Sequence, residues 1–296
     1  MAERKMSVVA LGTFDGLHRG HRSVLNAALK FENLKPVAVT FPEPPKRRLG
    51  YDVGMLMTAE DKNAILRQMG FEVKELDYDE IHDLSAEEYL DGLFDEFHVK
   101  VAVCGFNHRF GKGGLGDAAY LSSYCHSHGA EAVICPDLQI SGQEVSSSFI
   151  RELIAGGNIV LANRLLGRNF SFRSEVCHGE QRGRTIGFPT ANQMLDERLV
   201  IPKFGVYATA VNVNGKQFAG VTNIGIRPMF ELEKPQSETY ICNFSDDIYG
   251  QVIEVKLLKY LRDEKDFGSL EGLKAAIAND VEQAMKEFSE FLLQSI

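Results

Sequence analysis

Two histidines three residues apart, His18 and His21, close the run Gly12-Thr13-Phe14-Asp15-Gly16-Leu17-His18-Arg19-Gly20-His21, after an apolar stretch at residues 8–11 and before a helical pattern at residues 22–30. A glycine-rich turn from strand to helix lets the backbone approach a ligand closely, and its free N–H groups together with the helix dipole favour an anion. Residues at i and i+3 share a helix face, so the spacing predicts two imidazoles side by side at one phosphate. Such a pair suits nucleotidyl transfer, where the work is to position groups and stabilise charge spread over phosphate oxygens, with no covalent step. A zinc site would need the metalloprotease pattern or a nearby cysteine, and the run has neither.

Two more segments carry usable chemistry. In Val145-Ser146-Ser147-Ser148-Phe149-Ile150-Arg151, Ser147 and Ser148 offer the hydroxyls and amides of a helix start to a triphosphate, and Arg151, one turn on, is a cation for a leaving pyrophosphate. Taken alone, serines there are ordinary caps and the arginine an ordinary solvated side chain. Residues 178–192 join a glycine- and arginine-rich loop (His178, Gly179, Gly183, Arg184) to a rigid Phe188-Pro189-Thr190 turn. Its glycines permit the backbone to wrap phosphates, and Thr190 and Asn192 supply neutral oxygens of the kind magnesium takes beside a nucleotide. By composition alone both are ordinary turn residues.

The elements that must position these groups fall into two patterns. From residue 8 to about 137, short apolar runs alternate with longer amphipathic stretches, predicting strands at 8–11, 36–41, 71–76, 100–105 and 130–135 and helices at 22–30, 58–69, 85–97 and 117–126. Ser85-Ala86-Glu87-Glu88 reads as a capping box. This is an α/β, Rossmann-like pattern with a parallel sheet, whose ligands bind beyond the carboxyl ends of the strands. After residue 168 come strands at 206–213, 218–224, 238–244 and 252–260, with an Asn214-Gly215 hairpin signal, and a closing helix at about 269–293. That predicts a mainly antiparallel β-barrel with a terminal helix. The expected domains are 1–168 and 169–296, joined by a short junction at Leu166-Gly167-Arg168.

A chain of 296 residues can bury two cores. Its net charge of -9 argues against a nucleic-acid footprint and for a small, locally bound phosphate ligand. No stretch reaches the ~18 apolar residues of a membrane span. Cys104, Cys125, Cys135, Cys177 and Cys242 are odd in number and form no C-x-x-C pair, which predicts a reduced, cytoplasmic protein with cysteines as small apolar side chains.

On these motifs the sequence resembles the H-x-G-H nucleotidyltransferase superfamily, and the Gly-x-Phe-Asp-Gly-x-His-x-Gly-His form resembles its FAD synthetase branch. The resemblance narrows the acceptor, which the bare chemistry leaves open. It implies that FMN takes the adenylyl group of ATP, with His18 and His21 catalytic and Gly12, Phe14, Asp15, Gly16, Ser147, Ser148 and Arg151 at ATP and its phosphates. Ser148 stands where the family has threonine, which keeps the hydroxyl. Cys104-Gly105-Phe106-Asn107-His108-Arg109-Phe110-Gly111-Lys112-Gly113 resembles the family loop that frames nucleotide and flavin, with Asn107 carried over. Thr40-Phe41-Pro42-Glu43-Pro44-Pro45 resembles a further family loop but departs from its Pro-x-Pro arrangement.

Gly187-Phe188-Pro189-Thr190-Ala191-Asn192, with Gly205-Val206-Tyr207-Ala208, Val221-Thr222-Asn223-Ile224-Gly225, Arg227-Pro228 and Glu238-Thr239, resembles the riboflavin kinase domain across its length. Met229 replaces the threonine common after Arg-Pro. The resemblance implies that Glu238, otherwise a solvent-facing residue opening a strand, is the general base toward a ribityl hydroxyl. It places Thr190 and Asn192 at Mg2+, His178, Gly179, Gly183 and Arg184 at ATP, and Arg262 near the flavin. The implied reactants are riboflavin, FMN, FAD, ATP, ADP and pyrophosphate, with no nucleic acid and no membrane.

Overall fold

The apolar runs around Val8 and Val101 become the two central strands of a parallel sheet in the computed structural model, which describes residues 6–179, 183, 186–229 and 232–294. The chain divides into two compact units, Met1–Phe149 and Ile150–Ile296.

The first unit runs β1 (Ser7–Leu11), α1 (Arg19–Ala28), β2 (Lys35–Thr40), α2 (Pro45–Arg48), α3 (Ala59–Gln68), β3 (Glu72–Glu75), α4 (Tyr78–Ile81), α5 (Ala86–Phe97), β4 (Val99–Gly105), α6 (Ala118–Ser127), β5 (Glu131–Cys135) and a small hairpin, β6 (Gln139–Ile140) with β7 (Gln143–Glu144); α7 (Ser147–Ala155) spans the division. The sheet order is β3-β2-β1-β4-β5, with every pair parallel. Alternate residues of β1 enter opposite cores: Val9 and Leu11 join Leu90 and Leu93 of α5, while Val8 and Ala10 join Leu25 of α1 and Leu66 of α3. The winding reverses between β1 and β4, so the crevice at their carboxyl ends is the switch point where open α/β sheets bind ligands. Thr58, Ser85 and Asp117 cap α3, α5 and α6, and Ser85 with Glu88 completes the expected capping box. Helix α1 starts at Arg19, before the expected residue 22, because His18 itself caps it.

The second unit holds α8 (Ile159–Leu166), β8 (Ser171–Cys177), β9 (Thr190–Met194), β10 (Gly205–Val213), β11 (Lys216–Met229), β12 (Leu232–Ile241), β13 (Val252–Arg262) and α9 (Leu270–Gln294). The strands close an antiparallel barrel in the order β10-β11-β12-β9-β8-β13. Asn214 and Gly215, both at positive φ, make the tight turn between β10 and β11. Inside, the hydroxyls of Thr209, Thr222 and Thr239 join in a buried ladder at 3.0 and 2.9 Å. Ala284 of α9 packs against Val206, Ala208 and Leu258, closing one side of the barrel.

Three features differ from expectation. Helix α8 is fastened to the barrel, Asn163 donating to the Leu257 carbonyl and accepting from the Phe170 amide, both at 2.8 Å. Residues 150–168 therefore pack with the second unit. Thr190–Met194 is a strand rather than a turn, entered from Pro189, which lacks the N–H a strand interior needs. The adjoining β12 starts at Leu232, so Glu238 lies inside a strand instead of opening one. Among the described residues no helix is long and apolar enough to cross a membrane.

Candidate active sites

At the end of β1 the chain cannot simply enter a helix, and three positive-φ residues, Phe14, Gly16 and Leu17, turn it sharply before His18 caps α1. Gly16 is packed so closely on Leu56 that a Cβ would come within 2.7 Å of it. Asp15 is buried and its Oδ1 accepts the Leu56 amide at 2.9 Å. The Thr40 hydroxyl donates to the Thr13 carbonyl at 2.7 Å, holding the turn to the neighbouring strand. Phe14 is fully buried; its ring packs edge-on to His21, 5.5 Å between centroids, and lies where a Cβ on Gly12 would have to be. Phe14 is thus the floor beneath His21.

The two imidazoles stack, 3.5 Å between centroids and 18° between planes, and the His21 amide donates to His18 Nδ1 at 3.2 Å. The side-by-side placement expected from the spacing is present, with His18 as cap rather than as a residue of the helix. Gly20 lies beneath His18 and near the Val145 carbonyl, where a Cβ would crowd both. That brings in the second segment. The Ser147 hydroxyl donates to the Asp15 carbonyl at 3.1 Å, and Ser146 accepts the Phe149 amide at 3.3 Å. So Ser146 caps α7 while Ser147 ties its N-terminus to the histidine turn; Ser148 is exposed at the same end, and Arg151 lies one turn along the helix.

Across the switch point, the loop after β4 carries Asn107, exposed, with its Oδ1 folded toward Gly105. The Phe106 amide donates to the Cys135 carbonyl and the His108 amide to the Gly105 carbonyl, so the loop is pinned at its base. The Phe41-Pro42 segment lines a cavity of ≈ 210 Å³ with Arg48, Glu75, Asp77 and Tyr78. Lys62 was not foreseen. It is buried, donates to the Phe41 carbonyl, and its pKa is lowered by burial against the opposing pull of Glu75 and Asp15. A lysine in an amphipathic helix gives no sequence signal of burial.

In the barrel, register does the positioning. Asn223 of β11, Glu238 of β12 and Asn192 of β9 are direct cross-strand partners, and Cys177 of β8 continues the row. Directly opposed residues share a face with neighbouring Cβ atoms about 5 Å apart. Thr190, two residues from Asn192, stands on the same face opposite Tyr240, whose ring meets Phe188 edge-on at 5.2 Å. Gly179 packs on the Asn192 amide so tightly that a Cβ would sit 2.6 Å from its nitrogen. The Asn192 amide nitrogen donates to the Thr190 carbonyl at 3.3 Å, which leaves the amide oxygen as its remaining polar atom. The Cys177 thiol donates to the Asn192 carbonyl at 3.3 Å.

His178 stacks on Tyr249 at 3.9 Å, and Gly183 lies against the Phe188 carbonyl, where no Cβ would fit. Arg184 lies outside the described residues. Arg262 ends β13 in a two-pronged ion pair with buried Asp280 of α9 and lies over the Phe267 ring. Its guanidinium is therefore held by the protein from one side. Asn223 was part of the quoted motif without a role; its Nδ2 donates to Glu264 Oε1 at 2.8 Å.

Residues 1–149 match the FAD synthetase family and residues 166–288 the riboflavin kinase family. The chain is 34% identical over 97% of its length to a Bacillus subtilis (strain 168) protein named bifunctional riboflavin kinase/FMN adenylyltransferase, covering 94% of that protein. It is 36% identical, at the same coverages, to the Escherichia coli (strain K12) protein of the same name. A solved Streptococcus pneumoniae structure described as a macrolide-efflux protein is similar with a TM-score of 0.88 and 31% identity, over 96% of this chain and 95% of that one.

Proposed function

This chain belongs to the bifunctional riboflavin kinase/FMN adenylyltransferase family, and from that premise we propose which of its residues carry the two reactions. It is a transferase of flavin cofactor biosynthesis: ATP phosphorylates riboflavin to FMN, and a second ATP adenylylates FMN to FAD with release of pyrophosphate. We assign adenylyl transfer to residues 1–168, which take in all of α7, and phosphorylation to residues 169–296.

The observation that carries the kinase assignment is the row Asn223–Glu238–Asn192. It sets a carboxylate beside an amide oxygen on one barrel face, next to the His178–Gly179 loop. Glu238 takes the proton of the terminal ribityl hydroxyl as its oxygen attacks the γ-phosphorus and ADP leaves. Gly179 and Gly183 lie where backbone closes on other groups without room for a Cβ, which suits a phosphate-wrapping loop. Thr190 and Asn192, on one face and braced by Gly179, fit a cation of hard-oxygen preference, and we assign Mg2+ to them. When bound there, magnesium neutralises phosphate charge. Arg262 orients the flavin from its anchored position on Asp280.

In the first unit the FMN phosphate oxygen attacks the α-phosphorus of ATP, and the P–O bond to pyrophosphate breaks. His18 and His21 hold the oxygens on which charge accumulates; Gly12, Asp15 and Gly16 shape the turn, with Phe14 as its floor. The amides at Ser147 and Ser148, with Arg151, take the departing phosphates at the α7 N-terminus. Asn107 faces the nucleotide across the switch point. Phe41, Pro42 and Tyr78 give the nearby cavity flat apolar walls that suit a flavin ring. We place the protein in the cytoplasm, which suits its five free cysteines.

The test is a time course of the purified protein with riboflavin, ATP and magnesium, with flavins separated by chromatography. FMN followed by FAD is expected; FMN that accumulates without FAD removes the adenylylation assignment, and unchanged riboflavin removes both.

A further inference from the structure

A base alone does not select one hydroxyl. The ribityl chain of riboflavin carries four, and a flexible polyol must be steered so that its terminal hydroxyl, and no other, meets Glu238. Beside Glu238 in direct register stands Asn223, whose carboxamide nitrogen donates to Glu264 Oε1 at 2.8 Å. An ionised carboxylate only accepts hydrogen bonds, so Glu264 fixes the Asn223 amide with its NH2 toward Glu264 and its oxygen away. That oxygen, Asn223 Oδ1, is buried and has no hydrogen-bond partner among the described residues. A buried acceptor left unpaired is costly, and its presence next to a reacting centre calls for a missing donor.

The surroundings of Glu264 are built for this contact. It lies two residues beyond Arg262, which is clamped to buried Asp280. Gly225, two residues along β11 from Asn223, leaves space for the carboxylate: a Cβ there would lie 2.8 Å from Glu264 Oε1. A bare strand position, an anchored segment and an amide fixed in one orientation converge on a single oxygen beside the base.

We propose that Asn223 Oδ1 accepts a hydrogen bond from a secondary hydroxyl of the ribityl chain, and that Glu264 is a positioning residue that acts through Asn223 by holding its amide in that orientation. This rests on the assignment of Glu238 as base. The kinase site thereby reads the polyol as well as the ring, and it discriminates against flavins whose side chain lacks that hydroxyl. Sites built to pair a buried polar group reject analogues without the matching group more strongly than apolar pockets reject a methylene.

The experiment compares kcat/KM for total phosphorylated flavin from riboflavin and from its 2′-, 3′- and 4′-deoxy analogues, using the full-length wild-type protein and the Asn223→Ala and Glu264→Ala variants. The expected result is that wild type disfavours one analogue by about tenfold or more, and that both variants lose that discrimination while KM for ATP stays unchanged. A merely structural role would lower activity on all four flavins alike and keep the ratios. Ratios that persist in Asn223→Ala, or no discrimination in wild type, overturn the proposal. If Asn223→Ala fails to fold, Asn223→Leu, which keeps the volume and removes the acceptor, and Glu264→Ala carry the same comparison. Glu238→Gln assayed alongside separates the two ideas: full activity there removes the base assignment, whereas the analogue ratios speak only to Asn223.

Discussion

His18 lies flat against His21 with ring centres 3.5 Å apart, and the His21 amide donates to His18 Nδ1. An Nδ1 that accepts from an amide leaves the proton of a neutral ring on Nε2, so His18 meets a ligand as a donor. Stacked imidazoles repel if both are protonated, and an anion bridging them relieves that repulsion. A phosphate that gains charge in the transition state is the ligand such a pair holds most tightly when it matters.

His18→Ala and His21→Ala are each expected to lower FMN adenylylation by about two to three orders of magnitude, the scale for losing one transition-state donor. Riboflavin phosphorylation is expected to stay intact, because the residues we assign to it lie in the other unit. Separate assays with FMN and with riboflavin as substrate check this; a parallel fall in both rates would mean a general folding defect.

Glu238→Gln preserves shape and hydrogen-bonding reach but cannot accept the hydroxyl proton. Kinase kcat is expected to fall about 10²- to 10⁴-fold, with little change in KM for ATP and none in adenylylation of supplied FMN. A variant that keeps wild-type kcat would show that the hydroxyl loses its proton elsewhere.

Both halves were legible in the sequence because their signals are local. The five strands of the parallel sheet each sit within a residue or two of the expected ranges, and the Ser85 capping box and the Asn214-Gly215 turn are present. The misreadings are those of long-range pairing. Nothing local to Thr190-Ala191-Asn192 announces a strand; it becomes one because β12 and β8 lie on either side to pair with it. For the same reason Glu238 falls mid-strand, and Asn223 becomes its neighbour across a separation only the barrel register sets. Lys62 and Glu264 were unreadable because burial and contact, not residue type, define their parts.

Gly179→Ala places a Cβ against the Asn192 amide, 2.6 Å from its nitrogen in the present geometry. The flexible amide gives way before the backbone does, so the expected effect is on cation binding rather than on folding. The magnesium concentration for half-maximal kinase activity rises, kcat recovers at high magnesium, and adenylylation is unaffected. A magnesium titration of each reaction checks this, and an unshifted kinase curve would separate Asn192 from the metal.

Asp280→Ala removes the buried partner of Arg262 and leaves the guanidinium without its two-pronged acceptor. Breaking such a pair from one side costs about 3 kcal/mol, offset in part because Arg262 keeps some exposure. Calorimetry of the full chain is expected to show the riboflavin-sensitive transition at lower temperature, with KM for riboflavin raised more than KM for ATP. A lowered transition with unchanged riboflavin KM would make Arg262 a purely structural clamp.

His108 is stacked on Phe110 in the loop after β4, its Nε2 buried with no hydrogen-bond partner among the described residues, and burial holds its pKa down to about 4 from the ordinary 6.5. The folded state therefore resists taking up a proton that the unfolded chain binds readily. Between pH 6.5 and about 4 the unfolded state carries the extra proton, so stability falls as the pH is lowered through that window and levels off below it. Replacing the ring with an apolar one of similar shape removes this dependence. His108→Phe is expected to lose less stability than wild type on going from pH 7 to roughly pH 4.5, measured as the difference in unfolding midpoint of the first unit at the two values. Equal losses in both proteins would mean that His108 gains a partner or solvent on acidification, and that the loop opens there before the unit unfolds.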